Sequence, residues 1–84
     1  MTETEPFWAW HRGPYILSVT RPFVSKPGFF RNEWLRGKSY DGEDAAQEAL
    51  ALLADTRDTI VRVNVWSESE GQFVMTYRRE EARQ

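Results

Sequence analysis

The sequence predicts an α+β fold, a single small domain of ββαββ order in which one helix packs on one face of an antiparallel sheet. A stretch with apolar residues at helical spacing lies in the middle of the 84-residue chain. Stretches that alternate between apolar and polar residues flank it on both sides, as half-buried strands do. We divide the chain into an N-terminal aromatic arm or short strand at 1–12, the ββαββ domain at 13–79, and a charged C-terminal tail at 80–84.

The helix is predicted over about residues 43–55. Its apolar positions fall at i, i+3, i+4 and i+7, which places them on one stripe: Ala46, Ala49, Leu50 and Leu53. Leu52 and Ala45 widen this stripe at its edges. Asp41 or Gly42 is expected to cap its start, and Asp41 followed by Asp44 resembles a capping box with a shorter acid.

A hairpin should follow the helix. The first strand is predicted over Thr59–Trp66, with the valines at 61, 63 and 65 on one face. The other face should then carry Ile60, Arg62, Asn64 and Trp66. Residues 67–71 read as the hairpin loop, with Gly71 free to take a positive φ. The second strand is predicted over Gln72–Arg78, with Phe73, Met75 and Tyr77 on one face.

Two strands are also predicted before the helix. Tyr15–Thr20 alternates cleanly between apolar and polar residues, and a second strand is placed over roughly Phe29–Arg36. The prolines and glycine between them indicate a connection longer than a tight hairpin needs. Phe7–Trp10 is expected to form an extra short strand or to pack across an edge of the sheet.

This order leaves one face of the sheet without a helix, because one amphipathic helix covers only one side. A Trp such as Trp66 on an open sheet indicates that something covers it. The sequence offers three candidates for that cover: the Phe7–Trp10 segment folding back, a second copy of the protein, or an external partner.

Composition excludes several classes of protein. The chain has no cysteine, which rules out disulfides and thiolate metal sites. Its longest apolar run, Ala49–Ala54, is far too short to span a bilayer, and the N-terminus lacks the features of a secretion signal, so we expect a cytoplasmic protein. The net charge of −2 combines +5 over residues 11–40 with −5 over residues 41–60. Distinct basic and acidic regions are therefore expected on its surface.

Catalytic patterns are missing from the sequence. His11 is its one histidine, and no nucleophile motif or phosphate-binding loop accompanies it. Asp41, Glu43 and Asp44 are better explained as residues at a helix start than as paired catalytic acids. We therefore predict that the protein is not an enzyme and has no cofactor or metal.

Binding patterns are stronger. Trp and Arg anchor many protein interfaces, and the expected partner-binding set is Trp66, Arg62, Arg78, Trp8 and Trp10. A nucleic-acid-binding accessory protein is the alternative, since cations and rings interleave in the first half: Arg21, Lys26, Arg31, Arg36 and Lys38 with Phe23, Phe29, Phe30 and Trp34. A homodimeric structural module, in which two open sheet faces pair, is the second alternative.

The organisation of the chain also resembles a type of short phage-encoded protein, the anti-CRISPR inhibitors. The similarity lies in an aromatic first hairpin, the helical stretch 42–50, and closing strands that contain 60–63 and 71–74. The resemblance implies a stoichiometric inhibitor that occupies a surface of a nucleic-acid-binding effector complex. It further implies that an acidic helix face could compete with nucleic acid for a basic groove, and the residues of that face are Glu43, Asp44, Glu48 and Asp55.

Overall fold

The computed structural model describes residues 5–79, and over that range it has the predicted α+β fold. A 3-10 turn at Phe7–Ala9 precedes the domain. The other elements are β1 Tyr15–Pro22, β2 Phe30–Trp34, α1 Gly42–Ala54, β3 Arg62–Ser67 and β4 Gln72–Arg78. The predicted tail at 80–84 and residues 1–4 lie outside the described residues. Among the helices that the structure describes, none has the length and apolarity needed to cross a membrane.

The four strands form one antiparallel sheet in the order β2-β1-β3-β4. The two hairpins join through β1 and β3, which become the central strands, while β2 and β4 lie at the edges. Helix α1 packs on the central strands from one side, so the sheet keeps one face free of helix, as the element order predicts.

The core lies between α1 and the central strands. Leu17 and Val19 of β1 face Val65 and Val63 of β3 in register, and all four side chains are fully buried. Burial of these branched side chains stabilises the fold by about 1.5–3 kcal/mol each. Within residues 5–79, the buried hydrophobic residues are Phe7, Tyr15, Leu17, Val19, Ala45, Ala49, Leu53, Ile60, Val63 and Val65.

The buried stripe of α1 is rotated from the predicted one. Its buried residues are Gly42, Ala45, Ala49 and Leu53, a spacing of three and then four that also fits a helix. Leu50 is instead 38% exposed, and Ala46 is only partly buried. The predicted capping box is also wrong, because Asp41 is the N-cap residue but its side chain makes no capping hydrogen bond.

The predicted position of Ile60 on the open side of the sheet is wrong. The side chain is 1% exposed and belongs to the core beneath the helix. The cause is the start of β3, which begins at Arg62 rather than at Thr59. Alternation applies only within a strand, so it does not extend back to residue 60.

The prediction for Phe73 is wrong for a different reason. Val65 pairs with Met75, but its neighbour Trp66 pairs with Phe73, so Val74 is an extra residue on β4. Such a bulge shifts the alternation of the bulged strand by one residue. Met75 and Tyr77 therefore pack against the core, whereas Phe73 turns to the opposite side beside Trp66.

The described part of the N-terminal arm, residues 5–12, contains no strand. Phe7 is buried with its ring edge-to-face on Tyr15, at a centroid distance of 5.1 Å, and Trp8 packs on Gly42 at the start of α1. Two hydrogen bonds to Glu70 at the β3–β4 turn hold the arm: His11 Nδ1 lies 2.9 Å from Oε1, and the Arg12 N–H donates to Oε2 at 2.6 Å. Residues 5–12 of the arm therefore pack at the helix start and do not cover the open side of the sheet.

Candidate functional site

The side of the sheet away from α1, which we call the open face, is the candidate site. The pairing register places on it Ile16, Ser18, Thr20 and Pro22 of β1, Phe30, Asn32 and Trp34 of β2, Arg62, Asn64 and Trp66 of β3, and Phe73, Thr76 and Arg78 of β4. None of these thirteen side chains is acidic. Along the strands they sort into a cluster of rings at one end, a polar row in the middle and a basic end.

Three rings form the aromatic end. Trp66 stands on central strand β3, and rings from both edge strands reach it: Trp34 at 5.7 Å and Phe73 at 4.9 Å, both edge-to-face. Trp34 and Phe73 also stack on each other at 5.6 Å. Trp34 remains 39% exposed and Phe73 50% exposed. Part of the cover that Trp66 needs therefore comes from this chain, and the cluster still presents a large apolar surface to solvent.

A row of hydrogen-bonded side chains crosses the middle of the face. The Thr76 hydroxyl donates to Asn64 Oδ1 at 3.1 Å, Asn64 Nδ2 donates to the Thr20 hydroxyl at 3.2 Å, and that hydroxyl donates to Asn32 Oδ1 at 2.6 Å. The row joins all four strands. Because its buried polar atoms are satisfied, the middle of the face needs no partner of its own.

The basic end holds two arginines. Arg62 and Arg78 pair directly across β3 and β4, and like charges in this arrangement destabilise a sheet. The Arg62 guanidinium lies over the ring of Phe30 at 5.6 Å. Among residues 5–79 neither arginine has a carboxylate partner. A negatively charged ligand at this end would reduce their mutual repulsion.

A groove of about 540 Å³ opens at the aromatic end. Its lining combines residues of the face and of the loop between β2 and α1 with one acid of the β3–β4 turn, Glu68. The other lining residues are Ile16, Trp34, Arg36, Gly37, Lys38, Ser39 and Trp66. The ammonium of Lys38 lies over the Tyr40 ring at 5.7 Å, and neither Lys38 nor Arg36 forms an ion pair within the described part of the chain. The groove thus joins an apolar floor to a mostly basic rim.

The predicted partner-binding residues do not form one site. The structure brings Trp66, Arg62 and Arg78 together on the open face. Trp8 lies at the start of α1, and Trp10, which is 62% exposed, follows it in the N-terminal arm. These two tryptophans lie outside the open face.

The basic set proposed for nucleic acid is also divided. Arg21 lies on the helix side, where it donates to Asp58 Oδ1 and Oδ2 at 3.0 and 3.1 Å and also pairs with Glu33. The Arg21 hydrogen bonds lower the pKa of Asp58, as a bidentate guanidinium does. Arg21 therefore serves the fold and is not free to bind a ligand.

The acidic helix face loses one of its four predicted residues. Asp55 follows the last helical residue and accepts hydrogen bonds from the backbone N–H and Nε of Arg57 at 3.0 and 3.1 Å. The Arg57 side chain lowers the pKa of Asp55. Glu43, Asp44 and Glu48 remain on α1, on the opposite side of the molecule from the open face.

Sequence reasoning missed Phe73 as a member of the site and did not group Arg36 and Lys38 with Trp66. Phe73 reaches the open face only through the bulge, which no residue type announces. The grouping of Arg36 and Lys38 depends on the path of the loop after β2. The one available signal was the break in alternation at Trp34–Leu35, which indicates that the strand ends there.

No family model matches the sequence, and the searches of curated proteins and of solved structures found no match either.

Proposed function

We propose that the protein is a non-catalytic binding module that docks on a protein partner through the open face. The observation that supports this most directly is the cluster of Trp34, Trp66 and Phe73, in which Trp34 and Phe73 are exposed, on a sheet face that no other described element covers. An apolar surface of this kind on a small protein marks an interaction site.

The composition of the face favours a protein as the partner. Tryptophan and arginine carry much of the binding energy at protein interfaces, because they desolvate large areas and keep a polar group. Here the rings occupy one end of the face and Arg62 and Arg78 the other. The satisfied polar row between them provides contact area without leaving donors or acceptors unpaired.

The mode of action that we propose is stoichiometric inhibition, as the resemblance to phage-encoded anti-CRISPR proteins implies. A small module of this kind acts by occupying a surface that its target needs. The acids on α1, Glu43, Asp44 and Glu48, supply a second surface of opposite charge, suited to a basic groove of the same target.

The test is a reconstituted complex. The tagged full chain is used to capture partners from the lysate of its native cell, and each captured protein is then purified and titrated by calorimetry. The proposal expects a complex of defined stoichiometry that Trp66→Ala weakens. Trp10→Ala, which removes an exposed tryptophan outside the open face, should bind like the wild type. Equal affinity for the wild type and Trp66→Ala would contradict docking through this face.

Single-stranded nucleic acid is the second candidate, and the absence of any carboxylate on the open face favours it. Exposed rings stack on bases and unpaired arginines attract phosphates. A gel-shift titration with single-stranded and duplex oligonucleotides at two salt concentrations separates the two candidates. Tight binding that weakens steeply with salt would support nucleic acid and remove the protein-docking proposal.

A homodimer formed by two open faces is tested by light scattering. A monomer at high micromolar concentration would eliminate it.

A further inference from the structure

We propose that the free edge of β2, together with the groove beside Trp34, takes up an extended acidic segment of the protein partner as a fifth strand of the sheet. This inference rests on the proposed function and specifies how the partner is recognised. It is carried by the hydrogen-bond pattern of β2, by the charges around it and by the position of the groove.

The hydrogen-bond pattern shows which groups of β2 are free. The Leu35 N–H donates to the Leu17 carbonyl at 2.9 Å, and the Phe23 N–H donates to the Phe29 carbonyl at 2.9 Å. Bonded pairs alternate along an antiparallel ladder, so Glu33 and Arg31 direct their backbone groups toward β1. Phe30, Asn32 and Trp34 must then direct their N–H and C=O groups away from the sheet.

Nothing in the described part of the chain pairs with this edge. β2 is the outermost strand on its side of the sheet, and all five of its residues are exposed. An unpaired edge is a template for another strand. Three residues with free backbone groups offer the main-chain hydrogen bonds through which an extended peptide is bound by strand addition.

The charges along the edge select an acidic occupant. Glu33 is the one acid of β2, and Arg21 already pairs with it. Arg31 on the strand and Arg36 and Lys38 just beyond it form no ion pair with any described residue. Parallel pairing of β2 with a second copy would place Arg31 opposite Arg31, which like charges oppose. Antiparallel pairing with a second copy would place Arg31 opposite Glu33, and the experiment below distinguishes that outcome.

The groove adds selectivity for a side chain. Trp34 belongs to both surfaces, because its backbone is at the free edge and its ring lines the groove. Alternate side chains of an added strand would lie on the open-face side. One bulky apolar residue of the segment can then reach Trp34 and the floor formed by Ile16 and Trp66, while acidic neighbours meet Arg36 and Lys38.

The experiment uses random peptides displayed on phage and selected on the full-length protein. The selected peptides should be rich in Asp and Glu, with one bulky apolar residue. On addition of such a peptide, NMR should show slowed hydrogen exchange at the amides of Phe30, Asn32 and Trp34. Asn32→Pro removes one outward N–H, a position where an edge strand tolerates proline. It should bind the peptide about tenfold more weakly than Asn32→Ala, which lacks only the side chain.

Several results would overturn the inference. If selected peptides bind the open face without slowing exchange at the three β2 amides, strand addition is wrong while protein docking stands. Selection of basic peptides would contradict the charge argument. If the exchange rate of these amides falls with increasing protein concentration in the absence of peptide, the edge pairs with a second copy of this chain. If no peptide is selected and oligonucleotides bind instead, both this inference and the proposed function fail.

Discussion

Trp8 packs directly on Gly42, so that a Cβ built at residue 42 would overlap the side chain of Trp8. The contact joins the N-terminal arm to the first turn of α1, beside the buried ring of Phe7. The glycine is therefore required by close approach, and the arm and the helix start form one packed unit.

Gly42→Ala should destabilise the protein by about 1–3 kcal/mol, because the added methyl group overpacks the contact with Trp8. In a Trp8→Gly background, which removes the Cβ, Cγ and Cδ2 atoms that the methyl group would overlap, the same change should become stabilising by about 0.5–1 kcal/mol, since alanine is the better helix former. Urea unfolding of the four variants measures the cycle. If Gly42→Ala changes the free energy of unfolding equally in both backgrounds, the two residues do not interact.

Arg79→Ala should lower the free energy of unfolding by about 2–4 kcal/mol. The guanidinium satisfies carbonyls at the end of α1 and after it: Nη1 donates to Leu53 at 2.6 Å, Nε to Ile60 at 2.9 Å and Nη2 to Asp58 at 3.0 Å. Loss of a charged donor leaves these acceptors unpaired. The adjacent Arg78→Ala is the control and should change stability by less than about 0.5 kcal/mol, since Arg78 is exposed. Similar losses from both would contradict the assignment.

Stability should fall as the pH is lowered below about 4, in part through Asp58. Arg21 lowers the pKa of Asp58 in the folded state. A carboxyl whose folded pKa is depressed contributes stability above its unfolded pKa and loses it as the pH falls through the folded pKa. Thermal unfolding between pH 2 and 7 should therefore show a weaker acid dependence for Asp58→Asn than for the wild type. If Asp58→Asn and the wild type show the same pH dependence of thermal unfolding, the pair with Arg21 does not contribute to the loss of stability in acid.

Trp66→Ala should weaken partner binding by on the order of 2 kcal/mol, as truncation of an interface anchor does. The same change also removes ring contacts with Trp34 and Phe73, so its thermal unfolding must be measured beside its affinity. A loss of stability that accounts for the whole loss of binding would assign Trp66 to the fold alone.

The sequence was sufficient for the element order and for most of the core, because apolar periodicity is strong in α1 and in the central strands. It failed where tertiary geometry decides. Ile60 left its expected face because β3 starts later than its run of β-branched residues, and Phe73 changed sides through a bulge. The structural role of Arg79 was invisible because its acceptors are backbone carbonyls from other segments. Tertiary geometry also decides which residues share a face. The sequence alone therefore selected Trp66, Arg62 and Arg78 but could not separate them from Trp8 and Trp10.

The polar row across the sheet has a fixed sense, from Thr76 on one border strand to Asn32 on the other. The Asn64 amide donates a hydrogen bond on one side through Nδ2 and accepts one on the other through Oδ1, whereas Asn32 only accepts. Aspartate is isosteric with asparagine but cannot donate when ionised. Asn64→Asp would therefore interrupt this row of hydrogen bonds, whereas Asn32→Asp would preserve it. The two amides look equivalent in the sequence, yet of the two only Asn64 forms a side-chain hydrogen bond between the two hairpins.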